Sequence, residues 1–304
     1  MYEQIARNKR RTFVILFGFV FLVLLVALAF NFLFSGGVVG LVIVVIVAAG
    51  LAFFSYYNSD KVALAASRAK PAPEDEYRRY HNLVEGLCIA AGLPKPRLYI
   101  VDDPAPNAFA TGRNPKHAAI AVTSGLLDKM NRVELEGVLA HELSHIKNYD
   151  ILVTTVAVVA VGAIALLADI GLRFAFWGGL GESRRDSSDA GGLGAIIALL
   201  SLALLVLAPF AGYLMQFAMS RNREYLADAS GVQLTRYPPG LISALEKLRD
   251  DQAVVHHATK ATAQMWIEQP LEQGDDKKDA RSRFNNLFDT HPPLEDRIKR
   301  LQEM

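Results

Sequence analysis

The sequence contains a stretch from Thr12 to Ser59 without a single Asp, Glu, Lys or Arg. The segment Ser35-Gly36-Gly37 divides it into two apolar runs, Thr12–Phe34 and Val38–Tyr57. At 1.5 Å per residue the first run would form a helix of roughly 34 Å, which is long enough to cross a hydrocarbon core of about 30 Å. The second run ends in aromatic residues, which are typical of a membrane interface. The pattern therefore predicts a transmembrane hairpin.

A cleaved signal peptide is the alternative interpretation of the first run. A basic segment precedes that run, and Ala27-Leu28-Ala29 resembles a cleavage site. However, the apolar run is longer than the core of a signal peptide and continues past this site, which favours a retained membrane anchor.

Two further apolar runs, Ile151–Ala168 and Gly191–Met219, predict a second hairpin with spans at about 151–172 and 194–218. The first of these is weaker because charged residues lie at its far end, and a helical pair that only dips into the membrane is the alternative. We thus expect a mainly α-helical integral membrane protein with four transmembrane helices and an α+β domain outside the bilayer.

The distribution of Lys and Arg predicts the orientation of the spans. Basic residues precede the first span and follow the second and the fourth, whereas the turn between the first two has none. We therefore expect residues 1–11, 58–150 and 220–304 on the cytoplasmic side of the inner cell membrane, with hairpins at 12–57 and 151–219.

Charge and cysteine content exclude two classes of protein. The net charge of +1 offers no basic surface, so no nucleic-acid partner is expected. The single cysteine, Cys88, excludes a disulfide within the chain, and its apolar helical surroundings predict a packed core thiol.

Outside the apolar runs, periodicity and turn residues predict several elements. Asn131, followed by Glu134, has the pattern of a capping box at the start of a helix. The other expected helices are at 74–92, 240–250 and 294–302, and the expected strands are at 97–101, 108–110 and 118–122.

The helix that begins near Asn131 contains the motif His141-Glu142-Leu143-Ser144-His145. Two histidines four residues apart share one helical face, so both imidazoles can bind one zinc ion. Glu142 lies beside that face and can act as general base towards a zinc-activated water. A chance pairing of two histidines is the alternative, but the apolar residues before the motif favour a site built into a packed helix.

A catalytic zinc needs a third protein ligand and one open position. The segment SRNREYLADASG offers Glu224 and, one helical turn later, Asp228 as an acceptor for a histidine N–H. On residue type alone, Glu224 is equally compatible with a solvated helix glutamate.

Six segments, YYNSDKVAL, AKPA, PNAFATG, VLAHELSHIKNYD, SRNREYLADASG and THPPLEDRIKRL, occur in this order across most of the chain. Together they resemble the HtpX-like membrane zinc metalloproteases of peptidase family M48, which are related to the CAAX prenyl-protein proteases. The resemblance implies a zincin-type (gluzincin) domain with a small β-sheet and one Zn²⁺ per chain, held by His141, His145 and Glu224, with Glu142 as the catalytic acid/base. It also implies cleavage of misfolded or damaged membrane proteins at the cytoplasmic face of the lipid bilayer.

The resemblance further implies two groups that contact the substrate. Asn107, Ala108, Phe109 and Ala110 would form an edge to which an extended substrate adds as a strand; an ordinary hairpin strand is the alternative. His291 would donate to the oxyanion, and a capping or packing histidine is the alternative.

Three other positions have simpler interpretations. Arg297 is expected to anchor the last helix by an ion pair. Asp150 is expected to point away from His141, as a helix-end or interface residue. The remaining histidines, at positions 81, 117, 256 and 257, have no partner at a ligand spacing.

Two rival functions remain open at this level: a processing peptidase of the CAAX type and a metal-binding membrane scaffold without turnover. The presence of Glu142 disfavours the scaffold, because a structural zinc needs no general base and normally has four protein ligands.

Overall fold

The structure is a computed structural model, and it describes residues 2–33, 37–160, 221–251, 253, 255–256, 262, 265–267 and 292–304. The predicted fourth span, most of the predicted third span, His257 and His291 lie outside the described residues. Expectations that concern them stay predictions.

The charge-free stretch forms two long helices, α1 (Tyr2–Leu33) and α2 (Gly37–Ala66). The first two predicted spans fall within them. Ile15 and Phe19 of α1 are buried with Ala63 and Leu64 of α2 in one apolar cluster. Within the part of the chain that the structure describes, no helix is both long enough and apolar enough to cross a membrane.

A four-stranded sheet in the order β1-β2-β4-β3 follows, with β1 at Lys70–Pro71, β2 at Arg97–Val101, β3 at Ala108–Gly112 and β4 at Ala118–Thr123. β2 and β4 are parallel, whereas β1 pairs with β2 and β3 with β4 in antiparallel register. The predicted strands are confirmed, and β3 lies at an edge of the described sheet. Between β3 and β4 the chain turns through a 3₁₀ segment, Pro115–His117.

The last residue of β3, just before the turn to β4, has to be a glycine. Gly112 has a φ of 134°, and a Cβ atom there would lie 2.3 Å from the carbonyl oxygen of His117. Both the backbone conformation and the lack of space exclude a larger residue without rearrangement.

Helix α3 (Arg78–Ala91) begins later than the predicted Glu74, because residues 74–76 form a turn in which the Tyr77 N–H donates to the Pro73 carbonyl at 2.9 Å. A short helix, α4 (Ser124–Lys129), was not expected from the sequence; the Thr123 hydroxyl caps it by accepting from the Leu126 N–H at 3.1 Å.

Helix α5 (Arg132–Lys147) is the central element of the fold. Its predicted capping box is confirmed: the Glu134 N–H donates to the Asn131 Oδ1 at 3.0 Å, and the Asn131 N–H donates to the Glu134 Oε2 at 2.8 Å. One apolar cluster joins α5 to α3 and to the sheet, and it includes Cys88. This residue is 2% exposed, and burial raises the pKa of its thiol to about 11. The prediction of a packed thiol is thereby confirmed.

Three helices form the C-terminal part: α6 (Arg221–Thr235) and α7 (Pro238–Asp250) pack on α5, and α8 (Leu294–Gln302) packs against α7 and α6. Contact between α5 and α7 is close, because a Cβ atom on Gly137 would lie 2.8 Å from the backbone nitrogen of Leu241. Helix α7 begins two residues before the predicted position, with Pro238 and Pro239 in its first turn, where proline is tolerated.

Candidate functional site

His141 and His145 lie one turn apart on the inward face of α5. Their Nε2 atoms are 3.1 Å apart, and their ring planes are inclined at 87°. His141 is fully buried, and the side chain of His145 is 15% exposed. The i, i+4 spacing thus directs both ring nitrogens to one point.

Helix α6 brings Glu224 to the same point. Its Oε2 lies 3.6 Å from the His141 Nε2, and its Oε1 lies 3.7 Å from the His145 Nε2. The close approach of α5 and α6 depends on Gly231, since a Cβ atom there would be only 3.1 Å from the backbone nitrogen of His141. The ligand atoms of the three residues lie within 4.8 Å of one another.

These distances fit a zinc ion. Ligand atoms placed about 2.05 Å from a tetrahedral zinc are about 3.4 Å apart, and the three separations here are 3.1, 3.6 and 3.7 Å. Two imidazole nitrogens and one carboxylate, with a fourth position left open, form the donor set of a catalytic rather than a structural zinc site. His141, His145 and Glu224 could therefore hold the ion.

Glu142 is 2% exposed and lines a cavity of about 30 Å³ together with the three candidate ligands. Burial raises the pKa of Glu142, and the charge of Glu224 adds to this effect, whereas His141 and His145 oppose it. A carboxylate whose pKa is moved towards neutrality is better able to accept and then release a proton.

The second ring nitrogen of His141 is held by a buried ion pair. Its Nδ1 lies 2.8 Å from the Asp228 Oδ1, and Arg297 donates to both oxygens of Asp228, from Nε at 2.9 Å and from Nη2 at 2.6 Å. Burial tends to raise the pKa of Asp228, but the charge of Arg297 and the hydrogen bonds outweigh it and lower the pKa to about 2. An ionised Asp228 accepts the Nδ1–H of His141, so Nε2 faces the ligand cluster.

The electrostatic environment of the histidines favours a cation. Burial tends to lower the pKa of His141, but the hydrogen bonds to Asp228 and Glu224 raise it to about 9. For His145, burial has the same lowering tendency, and Glu224 and Asp150 more than offset it. A positive charge between these carboxylates is stabilised, whether a proton or a metal ion supplies it.

Asp150 corrects the sequence interpretation. Its expected place at a helix end is confirmed, but it was also expected to point away from His141, and its Oδ2 instead lies 3.1 Å from the Nδ1 of His145. Helix α5 ends at Lys147, and Tyr149 then adopts a left-handed backbone conformation with a φ of 60°. A helical projection fails beyond this point because the chain changes direction.

The predicted substrate strand, Asn107 to Ala110, lies next to the cavity but is largely covered. All four side chains are buried, and the N–H of Ile267 donates to the Ala108 carbonyl at 2.9 Å. The Trp266 ring packs edge-on against Phe109, with ring centroids 4.7 Å apart. Contact of this strand with a substrate stays a prediction.

The other described histidines make local contacts. The His81 ring lies 2.9 Å from the Ala72 carbonyl oxygen, and the His117 ring lies 2.8 Å from the Asn114 Oδ1. His256 is an exposed side chain whose Nδ1 lies 3.5 Å from Asp103. Among the described residues, no second group of His, Cys, Asp and Glu side chains has the spacing of a metal site.

Several contacts of the site were not predicted from the sequence. Arg297 supports Asp228, Asp150 contacts His145, and Arg223 lies 3.7 Å from Asp150. The sequence showed that charged residues lie next to the motifs, but it did not show which residues they contact.

Comparison with known proteins gives consistent matches. Residues 74–304 match the family described as Peptidase family M48. The chain is 45% identical over 303 residues to the Protease HtpX homolog of Dictyoglomus thermophilum, covering 100% of this chain and 94% of that protein. It is 43% identical over 304 residues to the Protease HtpX homolog of Caldanaerobacter subterraneus, covering 100% of this chain and 98% of that protein. Among solved structures it matches the crystal structure of S. mikatae Ste24p with a TM-score of 0.48 and 17% identity, covering 99% of this chain and 67% of that chain.

Proposed function

We propose, from the premise that this chain belongs to peptidase family M48, that it is a zinc-dependent endopeptidase. The observation that supports this most directly is the convergence of His141, His145 and Glu224 beside the buried carboxylate of Glu142. Two ligands from one helix and one from another, with an open position and a general base beside them, suit metal-assisted hydrolysis.

Each residue of the site has a separate proposed role. His141, His145 and Glu224 would hold the zinc ion, which when bound lowers the pKa of a water molecule and polarises the peptide carbonyl. Glu142 would accept a proton from the attacking water and pass it to the leaving amine nitrogen. Asp228 keeps His141 in the tautomer that presents Nε2. His291 stays a proposed donor to the oxyanion.

An extended peptide is the proposed form of the substrate. The strand from Asn107 to Ala110 lies at a sheet edge next to the cavity, which is the geometry of strand addition. To add there, a peptide would have to replace the hydrogen bond from Ile267 to Ala108. Because only unfolded segments can become strands, misfolded or damaged membrane proteins are the proposed substrates.

We propose a membrane location because α1 and α2 expose apolar side chains. Several large apolar side chains of these helices are exposed to solvent, for example Phe13 of α1, at 69%, and Val38 of α2, at 77%. Contiguous apolar surface of this kind needs a lipid or protein partner. We propose the inner cell membrane, with both termini and the metal site on the cytoplasmic side.

The test of activity uses the full chain, purified in detergent with a chelator and then reloaded with zinc. Wild type should cleave an unfolded protein such as casein, and Glu142→Gln should bind zinc but cleave at least about 100-fold more slowly, since it lacks the general base. Cleavage by Glu142→Gln at the wild-type rate would exclude the mechanism.

The test of the third ligand is the zinc content of Glu224→Ala. The variant should lose most of its bound metal, whereas Glu246→Ala on α7, at a residue that does not line the cavity of the site, should keep it. Full retention of zinc by Glu224→Ala would show that another residue is the third ligand.

The test of sidedness is labelling of single cysteines in a Cys88→Ala background. Asp128→Cys and Asn222→Cys replace exposed residues before and after the proposed second hairpin. An impermeant maleimide should label both from the cytoplasmic side. Labelling from opposite sides would contradict the proposed topology.

A further inference from the structure

Asn8, near the start of α1, is buried although it is polar and lies more than a hundred residues before the metal site. Its side chain is 1% exposed. The Nδ2 group donates to the carbonyl of Asn148 at 2.9 Å and to the Oδ1 of Asp150 at 2.7 Å. Because both neighbours are acceptors, the amide nitrogen must face them. One side chain of α1 therefore connects the C-terminal cap of α5 to a buried carboxylate.

Asp150 is the point at which three helices meet. Its Oδ2 faces the Nδ1 of His145 at 3.1 Å, and its Oδ1 accepts from Asn8 and lies 3.7 Å from Arg223. Arg223 directly precedes Glu224, the third candidate ligand. Asp150 thus touches α1, the ligand helix α5 and the ligand helix α6.

The contact between Asp150 and His145 is the second carboxylate–histidine pair of the site, after Asp228 and His141. In each pair the Nδ1–H of a candidate ligand is held so that Nε2 faces the metal position. Such partners orient the ligand and raise its basicity, and their loss typically costs 10–100-fold in metal affinity or activity.

The two carboxylates differ in what holds them. Asp228 is fixed by the two-pronged contact of Arg297. Asp150 lies beyond the end of α5, after the left-handed Tyr149, at the first position of the helical segment 150–160, so α5 itself does not hold it in place. The short bond from Asn8 ties it to the cap of α5, and Lys9 adds a contact, with its ammonium 4.8 Å from the centre of the Tyr149 ring.

We infer that Asn8 is a positioning residue for the metal ligand His145, acting through Asp150. The N-terminal helix is then a component of the metal centre and not only an anchor. This inference rests on the proposed zinc protease function, and it adds that the first ten residues of the chain contribute to zinc affinity.

The experiment compares zinc dissociation constants of full-length variants, measured in detergent by competition with a chelator. Asn8→Leu keeps the approximate volume and removes both donors, and it should weaken zinc binding by about 10-fold, the lower end of the range for such partners. Asn8→Asp keeps the shape but places a carboxylate against Asp150, so its affinity should be lower still. A role in packing alone gives the opposite order, with Asn8→Asp the milder change.

A double-mutant cycle tests whether Asn8 acts through Asp150. Asp150→Ala should weaken zinc binding by about 10–100-fold, and adding Asn8→Leu to it should change the affinity less than about twofold. Asn58→Leu is the matched control, because the contacts of Asn58 with described residues are local ones on α2; it should bind zinc as wild type does.

The absorption spectrum of the cobalt-substituted protein provides a readout besides affinity. Asn8→Leu should alter the visible bands because the orientation of His145 changes, and Asn58→Leu should not. Wild-type affinity and spectrum in both Asn8 variants, or an undiminished effect of Asn8→Leu in the Asp150→Ala background, would overturn the inference. Failure of wild type itself to bind one zinc would instead overturn the proposed function.

Discussion

Replacement of Arg297 by Met tests the buried ion pair behind the metal site. Arg297 is fully buried; it donates twice to Asp228 and once to the carbonyl of Ile267 at 3.2 Å. Methionine retains much of the apolar volume but leaves the Asp228 charge with His141 as its main partner. Removing one member of a buried ion pair typically costs about 3–5 kcal/mol, because the other charge stays buried without compensation.

The expected loss can be converted into a melting temperature. For a domain of this size, 1 kcal/mol corresponds to roughly 2–4 °C, so Arg297→Met should lower the Tm of the zinc-loaded protein on the order of 10 °C. The variant should also bind zinc more weakly, because Asp228 orients His141. The assay is a thermal melt of the full chain in detergent, with zinc content measured on the same sample.

The pH dependence of this variant follows from the same contact. The pKa of Asp228 is lowered from 3.8 to about 2 in the folded protein. A group whose folded pKa is lowered contributes stability above its unfolded pKa and loses it as the pH falls through the folded value. In wild type this loss occurs between about pH 4 and pH 2. In Arg297→Met the folded pKa of Asp228 is lowered less, so the loss should be smaller and should end at a higher pH.

The control for Arg297→Met is Lys299→Met, which removes a positive charge from an exposed position of the same helix. It should change stability by no more than about 0.5 kcal/mol. The reasoning is refuted if Arg297→Met melts within a degree or two of Lys299→Met and keeps its zinc.

Three further outcomes are expected. Glu134→Ala removes the acceptor of the Asn131 and Lys247 hydrogen bonds and should cost about 3 kcal/mol, measured by urea unfolding; an unchanged midpoint would contradict this. Gly137→Ala places a methyl group against the Leu241 backbone and should destabilise by about 1–3 kcal/mol, unlike the same change at Gly86, where a Cβ atom meets no atom within 4 Å. The thiol of Cys88, with its pKa near 11, should react with iodoacetamide at pH 8 at least about 100-fold more slowly than a free thiol, until the protein is denatured; rapid alkylation of the native protein would refute its burial.

The predictions that succeeded depend on short-range regularities. Glu134 lies three residues after Asn131, and the two close the capping box. Ala108–Gly112 and Ala118–Thr123 contain two of the predicted strands, and a short turn joins them as an antiparallel pair. The approximate position of each of these elements could be predicted from adjacent residues, since a turn or a cap involves only a few of them.

The wrong or missing predictions concern helix ends and strand pairing, which the periodicity of a segment does not specify. Residues 74–76 have the composition of a helix but form a turn that precedes α3. Asp150 was assigned by helical projection, but α5 ends before it and Tyr149 has a left-handed backbone conformation. The strands β2 and β4 are parallel neighbours. The sequence does not specify which strands pair, so this pairing could not be predicted.

By itself, the sequence determined that His141 and His145 share a face, because 3.6 residues per turn leave no other arrangement on an intact helix. It also determined the two long helices that contain the charge-free stretch. Only the tertiary structure decided which charge meets which: Arg297 with Asp228, and Asn8 with Asp150, are separated by 69 and 142 residues. Contacts at such distances arise from the packing of the whole core around α5, and no local periodicity specifies them.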